Sequence, residues 1–172
     1  LYGLVQAREG LRRKLPLVVT EGYMDVIAIQ RSGTAAAVAP LGTALTEEQI
    51  ILLWKLHDEP ILCFDGDAAG QRAQMRALER ILTLLTPGKS VRLATMPDGK
   101  DPDDVLRENG NDGFLKQVAV ARSLVDSLWD VLASMHNLRQ PESLARFWQE
   151  IRGQVRLINN NQVRSAYGDE IE

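Results

Sequence analysis

Two aspartates one residue apart, Asp65 and Asp67, stand with Gly66 between them directly after the apolar run Ile61-Leu62-Cys63-Phe64. In an extended chain residues i and i+2 point the same way and lie about 6.6 Å apart, so both carboxylates can reach one hard cation or bridge a pair. Two further acidic groups also follow apolar runs. Glu21 follows Leu17–Thr20, with Asp25 four residues on, and Asp101, Asp103 and Asp104 follow Val91–Met96 and the turn Pro97-Asp98-Gly99. Like charges brought together repel, by about 4 kcal/mol for two of them 4 Å apart at an effective dielectric near 20. Protonation would relieve this, as in carboxylate dyads, but Mg²⁺ or Mn²⁺ is the natural counter-ion for hard oxygen ligands. Taken alone, Asp65-Gly66-Asp67 reads equally well as a turn former. What favours chemistry is the grouping.

That grouping depends on the elements that carry it. Leu17–Thr20, Ala35–Ala39, Ile61–Phe64 and Val91–Met96 are short apolar runs that suit strands buried on both faces. Only the last alternates in part, as a strand at a sheet edge would. Helical patterns separate them: Tyr23–Ser32, with Met24, Ile27 and Ala28 on one face and Gly33 as its stop; a helix opening on the capping box Thr46-Glu47-Glu48-Gln49; and Gly70–Leu85. Alternating strand and helix predicts parallel strands, because each helix supplies the crossover. Ligands of such sheets gather beyond the carboxyl ends of the strands, where Glu21, the Asp65/Asp67 pair and the Asp101/Asp103 group all fall. After Pro102 the pattern is helical to the end: Asp104–Glu108, Gly113–Ala119, Ser123–Met135, Pro141–Leu157 and Gln162–Ile171. The fold class expected is therefore α/β, a small parallel sheet flanked by helices and followed by an all-helical extension. The boundary between them falls near Asn109–Gly113, in the turn-rich stretch ENGNDG.

The 172 residues, 45% of them hydrophobic, are enough for one packed domain with an appendage. No apolar run approaches the ~20 residues of a membrane span and no secretory signal opens the chain, so a cytoplasmic protein without membrane contact is expected. The single cysteine, Cys63, excludes a disulfide framework or a thiolate-rich zinc site and reads as a small buried side chain. A net charge of −3 speaks at first against a nucleic-acid partner. Yet eight of the 23 acids (Glu21, Asp25, Asp65, Asp67, Asp98, Asp101, Asp103, Asp104) lie in three short stretches, and the remaining acids are outnumbered by 20 Lys and Arg. Trp54, Trp129 and Trp148 stand at apolar helical positions and read as packing. His57 and His136 read as partners of helix C-termini. Arg8, Arg12, Arg13 and Lys14 fit a solvated face and a phosphate contact equally well.

Together VTEGYMDVIAI, VAPLGTALT, CFDGDAAGQRAQMRALE and MPDGKDPDDVLRENG resemble the Toprim module, and more narrowly that of bacterial replicative DNA primases of the DnaG type. The likeness covers Leu17 to Gly110; the opening LYGL and the helical tail resemble the primase polymerase core more loosely. It implies three segments: residues 1–16, the end of a preceding polymerase-core segment; 17–110, the Toprim domain; and 111–172, a helical subdomain. It also implies synthesis of short RNA primers from ribonucleoside triphosphates on single-stranded DNA, with two or more Mg²⁺ (or Mn²⁺) ions and no zinc in this part. Metal ligation would fall on Glu21, Asp25, Asp65, Asp67, Asp101 and Asp103; catalysis on Glu21, Asp65 and Asp67; cofactor contacts on Gly22, Asp25, Gly42, Thr43 and Gly66. Asp25 is the one family acid to which spacing alone gives no role. Asp104, where the family often has Thr, adds charge without removing a ligand.

Partners implied are the template strand, the triphosphates, the RNA–DNA primer hybrid and, through a domain outside this chain, the replicative helicase. The resemblance further implies that the chain is a piece of a larger protein, able to bind metal but not to make primers alone. Other reactions stay open at this point: phosphodiester hydrolysis by a Toprim nuclease, a topoisomerase, a DxD phosphatase using Asp65 as nucleophile, or a non-catalytic binding module. No context marks Tyr2, Tyr23 or Tyr167 as a topoisomerase nucleophile, and a haloacid-dehalogenase-type DxD would follow the first strand rather than the third.

Overall fold

The computed structural model describes residues 1–40, 44–97 and 99–171. Five strands, β1 (Leu17–Val19), β2 (Ala36–Val38), β3 (Ile61–Phe64), β4 (Arg92–Thr95) and β5 (Arg122–Ser123), form one sheet in the order β2-β1-β3-β4-β5. The first four are parallel, in the registers Leu17 to Ala36, Val18 to Ile61 and Ile61 to Arg92. β5 runs antiparallel to β4, pairing Arg92 with Ser123. The fold class is α/β as the sequence pattern requires, with two corrections of detail. A fifth strand appears where helices alone are expected, and β4 is therefore an inner strand rather than the sheet edge.

Eight helices surround the sheet: α1 (Leu4–Arg12), α2 (Tyr23–Ser32), α3 (Glu47–Leu56), α4 (Ala68–Leu84), α5 (Pro102–Ala119), α6 (Leu124–Ser134), α7 (Pro141–Arg156) and α8 (Asn161–Ile171). Strand side chains alternate between two cores. Val18, Ala37, Ile61, Cys63 and Ala94 face α2 and α5, meeting Val26, Ile29, Val105 and Phe114. On the opposite face Leu17, Val19, Val38, Leu62, Phe64 and Leu93 join Leu78, Ile81 and Leu82 of α4. Leu128, Phe147, Ile151 and Ile158 from the helical tail belong to this same core. α5 is two helical halves that meet at Gly110, whose backbone (φ 66°, ψ −171°) is not helical, so the turn-rich segment does interrupt the helix.

Local chemistry explains several element ends. Thr46 and Gln49 make the reciprocal capping box at the start of α3, Gln49 N donating to Thr46 Oγ1 at 3.3 Å and Thr46 N to Gln49 Oε1 at 3.0 Å. Gly33 closes α2 in the left-handed conformation (φ 71°). The inward face of α2 differs from the one the apolar pattern suggests. Asp25, Val26 and Ile29 are buried, while Met24 is 56% exposed. The three tryptophans do pack. Trp54 is buried with Nε1 donating to Ser90 O at 2.7 Å, and Trp129, Phe147 and Trp148 form an edge-to-face cluster.

Candidate metal centre

The carboxyl ends of β1, β3 and β4 deliver the acids to one edge. Glu21 lies two residues past β1, Gly22 caps α2 and Asp25 sits in its first turn. Asp65 follows β3 directly, and Asp67 is the N-cap of α4, its Oδ1 accepting from Gly70 N at 2.7 Å. Asp101 is the N-cap of α5, accepting from Asp104 N at 2.7 Å, with Asp103 in the first turn behind Pro102. Helix N-termini favour negative charge, so three helices point their positive ends at this edge.

Hydrogen bonds tie the loops to one another. Asp65 N donates to Glu21 Oε1 at 3.3 Å, and Asp103 N to Asp25 Oδ1 at 3.3 Å. Gly66 N donates to Lys100 O and Gly99 N to Gly66 O, both at 2.9 Å, clamping the Asp65-Gly66-Asp67 loop to the turn before Asp101. Gly66 is a packing requirement at this clamp. A Cβ there would stand 2.0 Å from Pro97 O. Gly70 has a matching reason, since a Cβ would lie 2.2 Å from Asp65 O and push α4 off the strand end. The family motif contained this glycine; its structural reason became visible only with the helix in place. Gly42 and Thr43 lie outside the described residues.

The electrostatics are those of uncompensated like charge. Burial, followed by the charges of Glu21, Asp25, Asp101 and Asp67, pushes the Asp65 carboxyl up to about 7. Asp65 Oδ1 is buried with no hydrogen-bond partner, an arrangement that native structures rarely leave unexplained. Asp25, only 6% exposed, is pushed up to about 6, first by burial and then by Asp101, against the amides of Asp103 and Gly22 that hold it down. Among the described residues no three carboxylates are gathered into a ready ligand cluster. The structure thus brings Glu21 to Asp65 and Asp25 to Asp101 and Asp103, with Asp65 within electrostatic reach of both groups. The donor set is all oxygen, one oxygen is orphaned, and every charge that shifts Asp65 is another acid. All three properties suit a hard divalent cation.

Neighbouring groups take other roles. Cys63 is fully buried under the sheet and its thiol is pushed up to about 12, so it is inert packing. His57 lies exposed at the end of α3, accepting from Glu59 N at 3.0 Å, whereas His136 is held by Glu150 at 2.8 Å. The described helices include none long and apolar enough to cross a membrane.

The Toprim-like family model matches residues 18–106, the stretch that contains every acid of the edge. The chain is 35% identical over 167 residues to the DNA primase of Rickettsia typhi, covering 97% of this chain and 28% of the relative. It therefore spans little more than a quarter of that relative's length. Among solved structures it resembles a DNA primase domain from Pseudomonas aeruginosa, with TM-score 0.88, 37% identity, and coverage of 99% of this chain and 53% of the other. A DnaG primase catalytic domain bound to single-stranded DNA is similar at TM-score 0.80 and 33% identity, over 94% of this chain and 53% of the other. Divalent metal use follows from the Toprim membership. With the fold, the order of the acidic loops and these likenesses in agreement, the chain belongs to the Toprim-like family and, within it, groups with the catalytic core of DnaG-type bacterial DNA primases.

Proposed function

We propose that this chain is the acid-bearing part of a primase catalytic core, serving template-directed synthesis of short RNA primers from ribonucleoside triphosphates on single-stranded DNA. The observation that carries the reading is the orphaned, buried Oδ1 of Asp65 at an edge where acids from three strand ends meet. Asp65, Asp67, Asp101 and Asp103 would hold Mg²⁺ or Mn²⁺, with Glu21 and Asp25 completing the set; Gly22, Gly42, Thr43 and Gly66 would line the nucleotide side. Such ions, when bound, would lower the pKa of an attacking hydroxyl and neutralise charge on a triphosphate. The chain's own residues supply the rest. The Gly66–Lys100 clamp fixes the spacing of the two aspartate pairs, and the amides of Gly22 and Asp103 orient Asp25. Glu21, beside the Asp65 amide, is placed to ligate or to take a proton.

Residues 1–16 read as the end of an upstream polymerase segment, 17–110 as the Toprim domain and 111–172 as a helical subdomain. The likeness to a catalytic domain bound to single-stranded DNA supports a template partner. The primer hybrid and a helicase reached through a domain outside this chain complete the partners, at a cytoplasmic replication fork. On this reading the isolated chain binds metal and makes no primers. The hydrolytic and phosphatase readings are disfavoured, the latter because the DxD follows β3, third in chain order. The test is a primer-synthesis assay of Asp65→Ala and Glu21→Gln in the complete protein. Loss of synthesis by at least two orders of magnitude is expected; near wild-type rates with Mg²⁺ would refute it.

A further inference from the structure

A cleft of about 780 Å³ opens beside the acidic edge, between α4 and α6. Among its lining residues is Ala68, the first residue of α4 and the neighbour of Asp67. Its floor is the end of β4. β5 pairs only with Arg92 and Leu93, so the ladder stops there and the backbone of Ala94 and Thr95, paired with β3 on its inner side, lines the cleft with no strand on its outer side. The α4 wall presents Arg72 and Arg76, both exposed and neither with an ion-pair partner among the described residues. Arg122 on the opposite wall is already neutralised, by Asp130 at 3.1 Å and Asp126 at 3.8 Å. Glu79, the only acid of α4, is outside the cleft wall.

Positions i and i+4 of a helix lie on one face and advance about 6 Å along its axis. That matches two steps of a stacked polynucleotide strand, at about 3.4 Å each. Guanidinium groups set at this spacing suit every second phosphate of such a strand. Met75, Val131 and Met135 give the same cleft apolar surface for bases. The volume is in the range of a small-ligand pocket, which fits a short stretch of one strand and not a duplex.

We propose that this cleft carries the phosphate backbone of a single-stranded polynucleotide to or from the acidic edge, with Arg72 and Arg76 as its phosphate contacts. The proposal rests on the polymerase reading of that edge and names the path of the strand across this chain. It assigns function to two arginines outside the Asp65-Gly66-Asp67 pair itself.

The test is fluorescence anisotropy of a labelled 16-nucleotide oligothymidylate with this chain, over a series of salt concentrations. Each phosphate contact on a single strand contributes about 0.7 to the slope of log K against log salt. Arg72→Ala/Arg76→Ala should lower that slope by about 1.4 and weaken binding about tenfold or more at low salt. Arg152→Ala/Arg156→Ala on α7, which removes equal charge elsewhere, should leave the slope unchanged. Circular dichroism of each variant checks the fold. An unchanged slope in the α4 variant, an equal fall in the α7 variant, or no binding by the parent chain would each overturn the proposal. Thermal stabilisation by Mg²⁺, measured on the same variants, reports separately on the acidic edge. In the parent chain, stabilisation by Mg²⁺ with no strand binding would refute the cleft and leave the edge standing; in the α4 variant, stabilisation should persist while strand binding weakens.

Discussion

Replacing Asp65 by Asn should make the metal-free chain more stable while destroying its response to divalent cations. Burial and four neighbouring acids push the Asp65 carboxyl from 3.8 up to about 7. The folded state therefore holds this proton over a range in which the unfolded chain has released it. Where the folded state binds more protons, stability falls as pH rises. The penalty is absent below the unfolded value, grows between about pH 4 and 7, and is complete above 7. At full strength a displacement of this size would correspond to about 4 kcal/mol. Asp65 is only half-buried, and solvent screening brings that down to about 1–2 kcal/mol. Asp65→Asn carries no such charge, and at pH 8 in EDTA its Tm should rise by about 2–8 °C for a domain of this size. Between pH 4 and 8 the fall in stability should flatten relative to the parent chain, though Asp25 retains part of it because its carboxyl is also raised. Titration with Mg²⁺ should stabilise the parent chain and leave Asp65→Asn unmoved. Differential scanning calorimetry across pH, with and without Mg²⁺, reads all three. A variant less stable than the parent in EDTA at pH 8, or one stabilised equally by Mg²⁺, would refute the reasoning.

Other substitutions test the frame around the site. Gly66→Ala places a methyl group 2.0 Å from Pro97 O; it should cost about 2–4 kcal/mol in urea unfolding and weaken Mn²⁺ binding in calorimetry, because the clamp between the two aspartate loops must open. Thr46→Ala removes the capping box of α3 and should cost about 1 kcal/mol, measurable as a small fall in Tm with Mn²⁺ affinity unchanged. Phe147→Ala should cost about 3–5 kcal/mol and lower the midpoint of a single unfolding transition, since Phe147 is fully buried in the core that includes β1, β3 and α4; two separated transitions would show that the tail folds apart from the sheet.

The four parallel strands are legible in the sequence because each is a short apolar run, buried on both faces and closed by turn residues. β5 is not: two residues, Arg122 and Ser123, carry no period, and Ser123 also caps α6. β4 imitates an edge strand because Arg92 interrupts its apolar run. Its guanidinium is spent on the carbonyls of Ala119 and Ala121 at the end of α5. The inward face of α2 was misleading for a chemical reason. Asp25 turns inward to the amides of Gly22 and Asp103, bringing Val26 and Ile29 under it and leaving Met24 outside. Periodicity assigns apolar residues to the core and cannot foresee a buried carboxylate. The edge itself was legible, since in a parallel sheet strand ends share a side whatever the loops between them do. The Gly66–Lys100 clamp and the packing of Gly70 under Asp65 depend on tertiary contact and leave no local signal beyond the glycines.

On the function proposed above, the strand-end acids would form one divalent-cation site. Anomalous diffraction from crystals of this chain soaked in Mn²⁺ and a nucleoside triphosphate tests it most directly. Mn²⁺ peaks are expected at the carboxyl edge, within about 2.0–2.2 Å of oxygens of Asp65 or Asp67 and reaching the Asp101/Asp103 pair. Mn²⁺ bound only elsewhere, with the Asp65 and Asp67 carboxylates unligated, would contradict it.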